Sequence, residues 1–195
     1  MRKERVEIKK LGINGEGIGY INKKICFINN ALPNEIVDVE IVEENRKFLK
    51  GKVVSYIQKS KDRVESICKE DKNCQGCSLT ALDYQQHAPF KKGILKDALK
   101  KYTEFDVDHL PIQHVRACQV SKGYRKVVSL PITYFKGKVN VGIYQRESKY
   151  LTLMNNCPMQ DPLINQCLVK IEDILNECKA RDYNCLLYTS DAADE

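Results

Sequence analysis

The chain has 195 residues, 43% hydrophobic and 30% charged, which suits one ordinary folded domain or two small ones and excludes a disordered polypeptide. Its formal net charge is +6; the last ten residues carry three acids and no base, so the remainder is more basic still, which favours polyanionic partners such as nucleic acid and disfavours a small acidic electron carrier. No apolar run approaches the ~20 residues of a membrane span, and the start, MRKERVEIKK, has no apolar signal core. A cytoplasmic, monomeric chain without membrane contact is expected.

Residues 1–59 read as five short strands: VEIKKL, the glycine-rich GINGEGIGYI, KKICFI, EIVDVEIVEE and FLKGKVVSYI. Alternation in the fourth puts Val37, Val39 and Ile41 on one face. Gly51 reads as a bulge. Five strands without a helix suggest a small closed barrel of the OB type, a fold that often carries oligonucleotides. Arg46, Lys47 and Phe48 place two cations beside a ring that can grip phosphate and stack a base; a solvated hairpin turn is the alternative. GEGIG is not a dinucleotide fingerprint, because no helix follows and the spacing differs.

Residues 60–67 look like a polar linker. Cys68, Cys74 and Cys77 follow with C-x5-C-x2-C spacing, three of nine cysteines in a chain expected to sit in a reducing compartment. A four-thiolate site needs one more ligand from elsewhere. Cys26, Cys118, Cys157, Cys167, Cys178 and Cys185 remain, and Cys157 precedes a proline. A clustered trio with a distant Cys-Pro resembles iron–sulfur ligation more than zinc, with zinc and unligated thiols as the other readings. His87, His109 and His114 show no metalloenzyme spacing.

The stretch LTALDYQQHAPFKKGILKDALKKY reads as an amphipathic helix kinked or restarted at Pro89. Lys122, Tyr124, Arg125 and Lys126 again place cations around a ring, suited to phosphate and base contact. Strands are expected at Val127 to Ile132, Lys138 to Tyr144 and Tyr150 to Met154, returning Cys157 towards the trio. A last helix is expected after Asp161 as cap and Pro162 in the first turn. Its apolar stripe includes Cys167 and Cys178, which are expected to be buried as small hydrophobes.

Taken together, the barrel-like start, C-x5-C-x2-C, Tyr84 with Gln85 and Gln86, GYR, GIYQRES and a Cys-Pro resemble the RNA uracil-5-methyltransferase family. The closest resemblance is to its iron–sulfur branch with an N-terminal TRAM domain, acting on 23S rRNA, over residues 5 to 184. The resemblance implies an α+β chain: a TRAM-like RNA-binding barrel at 1–59 and an incomplete cluster-binding domain at 60–184. It implies a [4Fe-4S] cluster on Cys68, Cys74, Cys77 and Cys157, and RNA contacts in the barrel and the GYR region. Lys126 and Lys149 depart from the asparagine and histidine usual in the family.

In the family a Rossmann-like domain follows, binding S-adenosylmethionine and carrying a cysteine nucleophile and a carboxylate base that act on a flipped-out uracil. No glycine-rich strand-to-helix turn occurs after residue 160 here, and residues 185–195 do not fit the family. The chain therefore reads as a fragment with a foreign tail and no catalytic residues, expected to bind RNA weakly, with its last helix lacking the partner it would pack against. A free-standing RNA-binding protein with a structural four-cysteine site is the competing reading.

Overall fold

The computed structural model describes residues 2–71, 73–74, 76–135, 137–145 and 150–180. They divide into two compact units, one holding residues up to Ile67 together with Cys77–Gln119, the other Cys68–Gly76 and the residues from Val120 onward.

The first unit is built on a six-stranded sheet of β1 (Lys3–Glu7), β2 (Lys10–Leu11), β3 (Gly17–Ile21), β4 (Lys24–Asn29), β5 (Ile36–Glu44) and β6 (Phe48–Gln58), in the order β1-β5-β6-β4-β3-β2. Only β4 and β6 pair in parallel. The first expected strand is two: the run breaks at Ile8 and Lys9, whose N–H groups donate to Glu35 and Ile18 carbonyls, both at 2.8 Å. One continuous run thus pairs with β5 through β1 and with β3 through β2. Where β1 crosses β3, a Cβ on Gly19 would stand 2.3 Å from Val6 Cγ1 and 2.9 Å from the Glu7 carbonyl oxygen, so only glycine fits.

Alternation fills the interior with Val6, Ile8, Cys26, Ile28, Val37, Val39 and Leu49, all buried, with Ile41 packed at the edge. The extra residue expected at Gly51 sits instead on the partner strand: Ile41 faces Gly51 and Glu43 faces Lys50, leaving Val42 unpaired between them. At Gly51 the fit is close, since a Cβ there would lie 3.3 Å from Val39 Cβ and the neighbour would have to give way slightly.

Residues 60–63 are tied to the sheet by Glu35, which is fully buried. Its carboxylate takes Arg63 Nε at 2.5 Å and Nη2 at 2.8 Å, and the N–H groups of Leu32 at 2.8 Å and Ser60 at 3.2 Å. Helix α1 (Tyr84–Tyr102) starts at Asp83, whose side chain accepts the Gln85 N–H, and runs through Pro89 without a break. LTAL lies outside it as turn. Leu79, Leu82 and Phe90 join Leu11 and Leu32 in a second apolar cluster.

The second unit holds an antiparallel sheet of β7 (Ile132–Phe135), β8 (Lys138–Tyr144) and β9 (Leu151–Leu153), with α2 (Pro162–Glu177) against β8. Asn176 anchors that contact, accepting the Val139 N–H at 2.7 Å and donating to the Val139 carbonyl at 3.2 Å. Two expectations are corrected here. The strand expected over Val127 to Ile132 is not formed: β7 starts where that stretch ends, at Ile132, just after Pro131, which has no N–H for a ladder. Cys167 and Cys178 are exposed, not buried. Leu168, Ile164 and Leu175 turn towards the sheet, while Leu163, Cys167, Ile171, Ile174 and Cys178 follow one another along a neighbouring, exposed strip of the helix. Among the described residues, no helix is long and apolar enough to cross a membrane.

Candidate metal centre

The eight described cysteines are all thiols, with no disulfide among them. Cys26 is the innermost, closed in the sheet interior, where burial alone pushes its thiol up to about 11; it is structural. Cys118 is exposed. Cys185 and the 185–195 tail lie outside the described residues.

Cys68, Cys74 and Cys157 fall in the second unit, and Cys77, half-buried, falls in the first. A tight turn holds the first pair: Cys74 N–H donates to the Glu70 carbonyl at 2.6 Å, and the Gly76 N–H points at Cys74 Sγ at 3.4 Å. Cys74 Sγ lies 3.9 Å from Met154 Sδ. Burial pushes the Cys68 thiol above its ordinary value, a backbone hydrogen bond at Glu70 offsets part of this, and Cys157 and Cys74 act in the same direction as burial.

Cys157 is buried and clamped from α2. Asn165 accepts its N–H at 3.1 Å and donates to its carbonyl at 3.0 Å. Proline at the first position of α2 and Asp161 as its cap, accepting the Leu163 N–H at 2.8 Å, set the helix start that aims Asn165 at this loop. Nothing in the spacing of Asn165 marks it as a partner of Cys157.

The segment from Gly123 to Lys126 laces the two cysteine loops together. Gly123 N–H donates to the Pro158 carbonyl at 3.0 Å, Arg125 N–H to the Met159 carbonyl at 2.9 Å, and Asp161 N–H to the Arg125 carbonyl at 3.0 Å. From the same residue, Arg125 Nη2 donates to the Gly76 carbonyl at 3.3 Å. Lys126 is paired with Asp161, and that hydrogen bond, reinforced by the Leu163 N–H, holds the Asp161 carboxyl below the usual range. Of the cations expected to meet RNA here, Arg125 and Lys126 are thus engaged in structure. Lys122 is exposed, and Tyr124 leaves half its surface to solvent.

Gln160 was not foreseen. It is 1% exposed, in the loop that follows Cys157, and its amide nitrogen and oxygen have no hydrogen-bond partner among the described residues. A buried amide in this state is costly unless something completes it. The donor chemistry, thiols together with an unmatched buried amide three residues after Cys157, fits a sulfur-ligated group. Among the described residues, no three His, Cys, Asp or Glu side chains already stand as a ready cage for a metal.

On the first unit, Arg46 and Lys47 are exposed at the tip of the β5–β6 hairpin, where Asn45 Oδ1 accepts the N–H groups of Lys47 at 3.0 Å and Phe48 at 2.9 Å. The Phe48 ring is half-buried and meets Phe27 edge-on, with centroids 5.7 Å apart. It is part packing, part surface. His87 bonds the Leu79 and Leu82 carbonyls, and His109 pairs with Asp106.

Residues 2–54 match the TRAM domain. An uncharacterized RNA methyltransferase of Enterococcus faecalis is 34% identical over 92% of the chain, which corresponds to 39% of that protein. The 23S rRNA (uracil(1939)-C(5))-methyltransferase RlmD of Vibrio parahaemolyticus is 33% identical over 93% of the chain and 41% of its own length. The crystal structure of the Pyrococcus abyssi tRNA (uracil-54, C5)-methyltransferase with S-adenosyl-L-homocysteine is similar in fold, with a TM-score of 0.62 and 22% identity over 92% of this chain and 38% of that one. The chain thus spans about two-fifths of the length of the curated relatives it matches. With a TRAM match at its start and relatives aligned over nine-tenths of its residues, the chain is homologous to RNA methyltransferases, a uracil-C5 enzyme among them.

Proposed function

We propose that this chain is the RNA-recognition and cluster-binding portion of an S-adenosylmethionine-dependent methyltransferase that modifies C5 of a uridine in 23S rRNA. On this reading the sheet of the first unit closes as the TRAM barrel, residues 1–59, and binds RNA. Residues 60–184 form the central domain. Cys68, Cys74, Cys77 and Cys157 hold a [4Fe-4S] cluster, closing on it only when it binds and giving up their protons to do so. Such a cluster supplies a rigid thiolate cross-link between distant parts of the chain. The S-adenosylmethionine site and the catalytic residues belong to the family's Rossmann-like domain, and the residues described here contribute RNA binding, in a cytoplasmic monomer.

The observation that carries the reading is the lacing of the 68–76 loop and the Cys157 loop through residues 123–126, which brings a distant Cys-Pro to the clustered pair. Arg46, Lys47, Phe48, Lys122 and Tyr124 supply exposed charge and ring surface for RNA. Arg125 and Lys126 act mainly by holding the loops.

The test is iron and sulfide content after anaerobic purification. The wild-type chain is expected to be brown, with absorbance near ~400 nm and about four irons per chain. Cys157→Ser is expected to lose most of that iron. A serine variant that keeps the full iron content, or a colourless wild type that carries zinc, defeats the cluster assignment, and the zinc result favours a structural four-cysteine site.

A further inference from the structure

Two hollows adjoin on α1, both within the first unit. One, of about 320 Å³, is lined by Leu11, Leu82, Phe90 and Ile94, with Gln86 and the Lys10–Asp97 pair among its polar groups. The other, of about 400 Å³, is lined by Lys92, Lys96, His114 and Val115. They share Pro89 and Gly93. The first has the character of an apolar slot with an aromatic wall and an amide, and the second is basic.

The wall of the basic hollow is held in place at two points. Lys92 Nζ donates to the Ile112 carbonyl at 2.7 Å, and the Tyr84 hydroxyl donates to the Cys118 carbonyl at 2.9 Å. Among the described residues no acid lines the basic hollow; Asp97 beside it is paired with Lys10 and Asp108 with Lys100, while Asp62 lines the apolar one. The hollow therefore keeps a positive balance.

Gly93 stands between the two. Glycine weakens a helix interior relative to alanine, yet among the described residues a Cβ at Gly93 would meet no atom within 4 Å. Gly93 is exposed and lines both hollows, so a bare stretch of helix separates an apolar slot from a basic one. That is the layout of a nucleotide, with a flat base at one end and a phosphate at the other.

We infer that this face of α1 takes one nucleotide of single-stranded RNA, and the inference rests on the RNA-binding function proposed above. The backbone passes over Gly93, the phosphate lies on Lys96 beside Lys92 and His114, and the base enters the slot against Phe90 and Ile94. Ring contact with a base and an ammonium on its phosphate are the two contacts that single-strand binders combine.

The experiment measures anisotropy of a labelled, uridine-rich single strand of about twelve nucleotides with the full chain, over a range of salt. Gly93→Leu fills the passage with a residue that favours helix, so its thermal midpoint should equal or exceed that of the wild type. Its dissociation constant should rise roughly ten-fold, the scale of one stacked base. Lys96→Ala should weaken binding several-fold and reduce the salt slope by about 0.7, one phosphate contact. If the wild type binds while Lys96→Ala keeps its affinity and slope, this site is overturned and the RNA-binding function stands, even where Gly93→Leu fails to fold. If the wild type does not bind the strand, the RNA-binding function falls and this site with it.

Discussion

A carboxylate as closed in as Glu35 would ordinarily be driven to its neutral form. Burial does push its proton affinity up, but the Arg63 hydrogen bonds and the N–H groups of Leu32 and Ser60 more than offset this and hold it below the usual range. A depressed folded-state value adds stability that is present above the unfolded value of about 4.3 and is lost as pH falls through the folded one. Glu35→Gln should therefore melt well below wild type at neutral pH, and the gap should narrow once pH drops below about 4. A gap that stays constant down to acid pH would show that the charge is not what matters. Arg63→Ala, which strands the carboxylate, should cost about 3–5 kcal/mol in urea unfolding. Gly19 is a steric counterpart. Gly19→Ala forces Cβ into Val6 and the Glu7 carbonyl and should cost about 1–3 kcal/mol, read the same way.

Among the elements, α2 shows how a stripe divides. Its caps were legible, with Asp161 and Pro162 where an N-terminus needs them. Its apolar positions were also legible, but they span more of the helix circumference than one sheet can cover. The sheet takes the side with Leu168 and Asn176 and leaves Cys167, Ile171, Ile174 and Cys178 outside. Brief alkylation of the native chain followed by peptide mass spectrometry should therefore label Cys118, Cys167 and Cys178, and should leave Cys26 unmodified until denaturant is added. Labelling of Cys26 at the same rate would contradict its burial. The 123–126 segment has the opposite history. Its β-branched continuation suggests a strand, yet its backbone groups go to Met159 and Asp161, because the cysteine loops offer partners that a ladder would otherwise provide.

At the level of the whole molecule, the sequence by itself indicated most of the elements and the chemistry on offer. It marks β4, β5 and β6 within a residue and β8 at its observed bounds, with alternation fixing the buried face of β5, but it places β7 too early. The C-x5-C-x2-C spacing and the distant Cys-Pro put thiols on offer in a spacing that suits soft-metal ligation. What only the tertiary structure decided were the partners across long separations. It set the run from Lys3 to Leu11 against both β5 and β3, Glu35 onto Arg63, Asn165 onto Cys157, and Arg125 onto Gly76. It also left the buried Gln160 amide without a hydrogen-bond partner among the described residues, and Gly93 open to solvent. The physical reason is common to all of these. Periodicity records which side of an element is apolar, whereas a hydrogen bond or a close contact depends on which distant segment arrives there, and the local sequence does not carry that information.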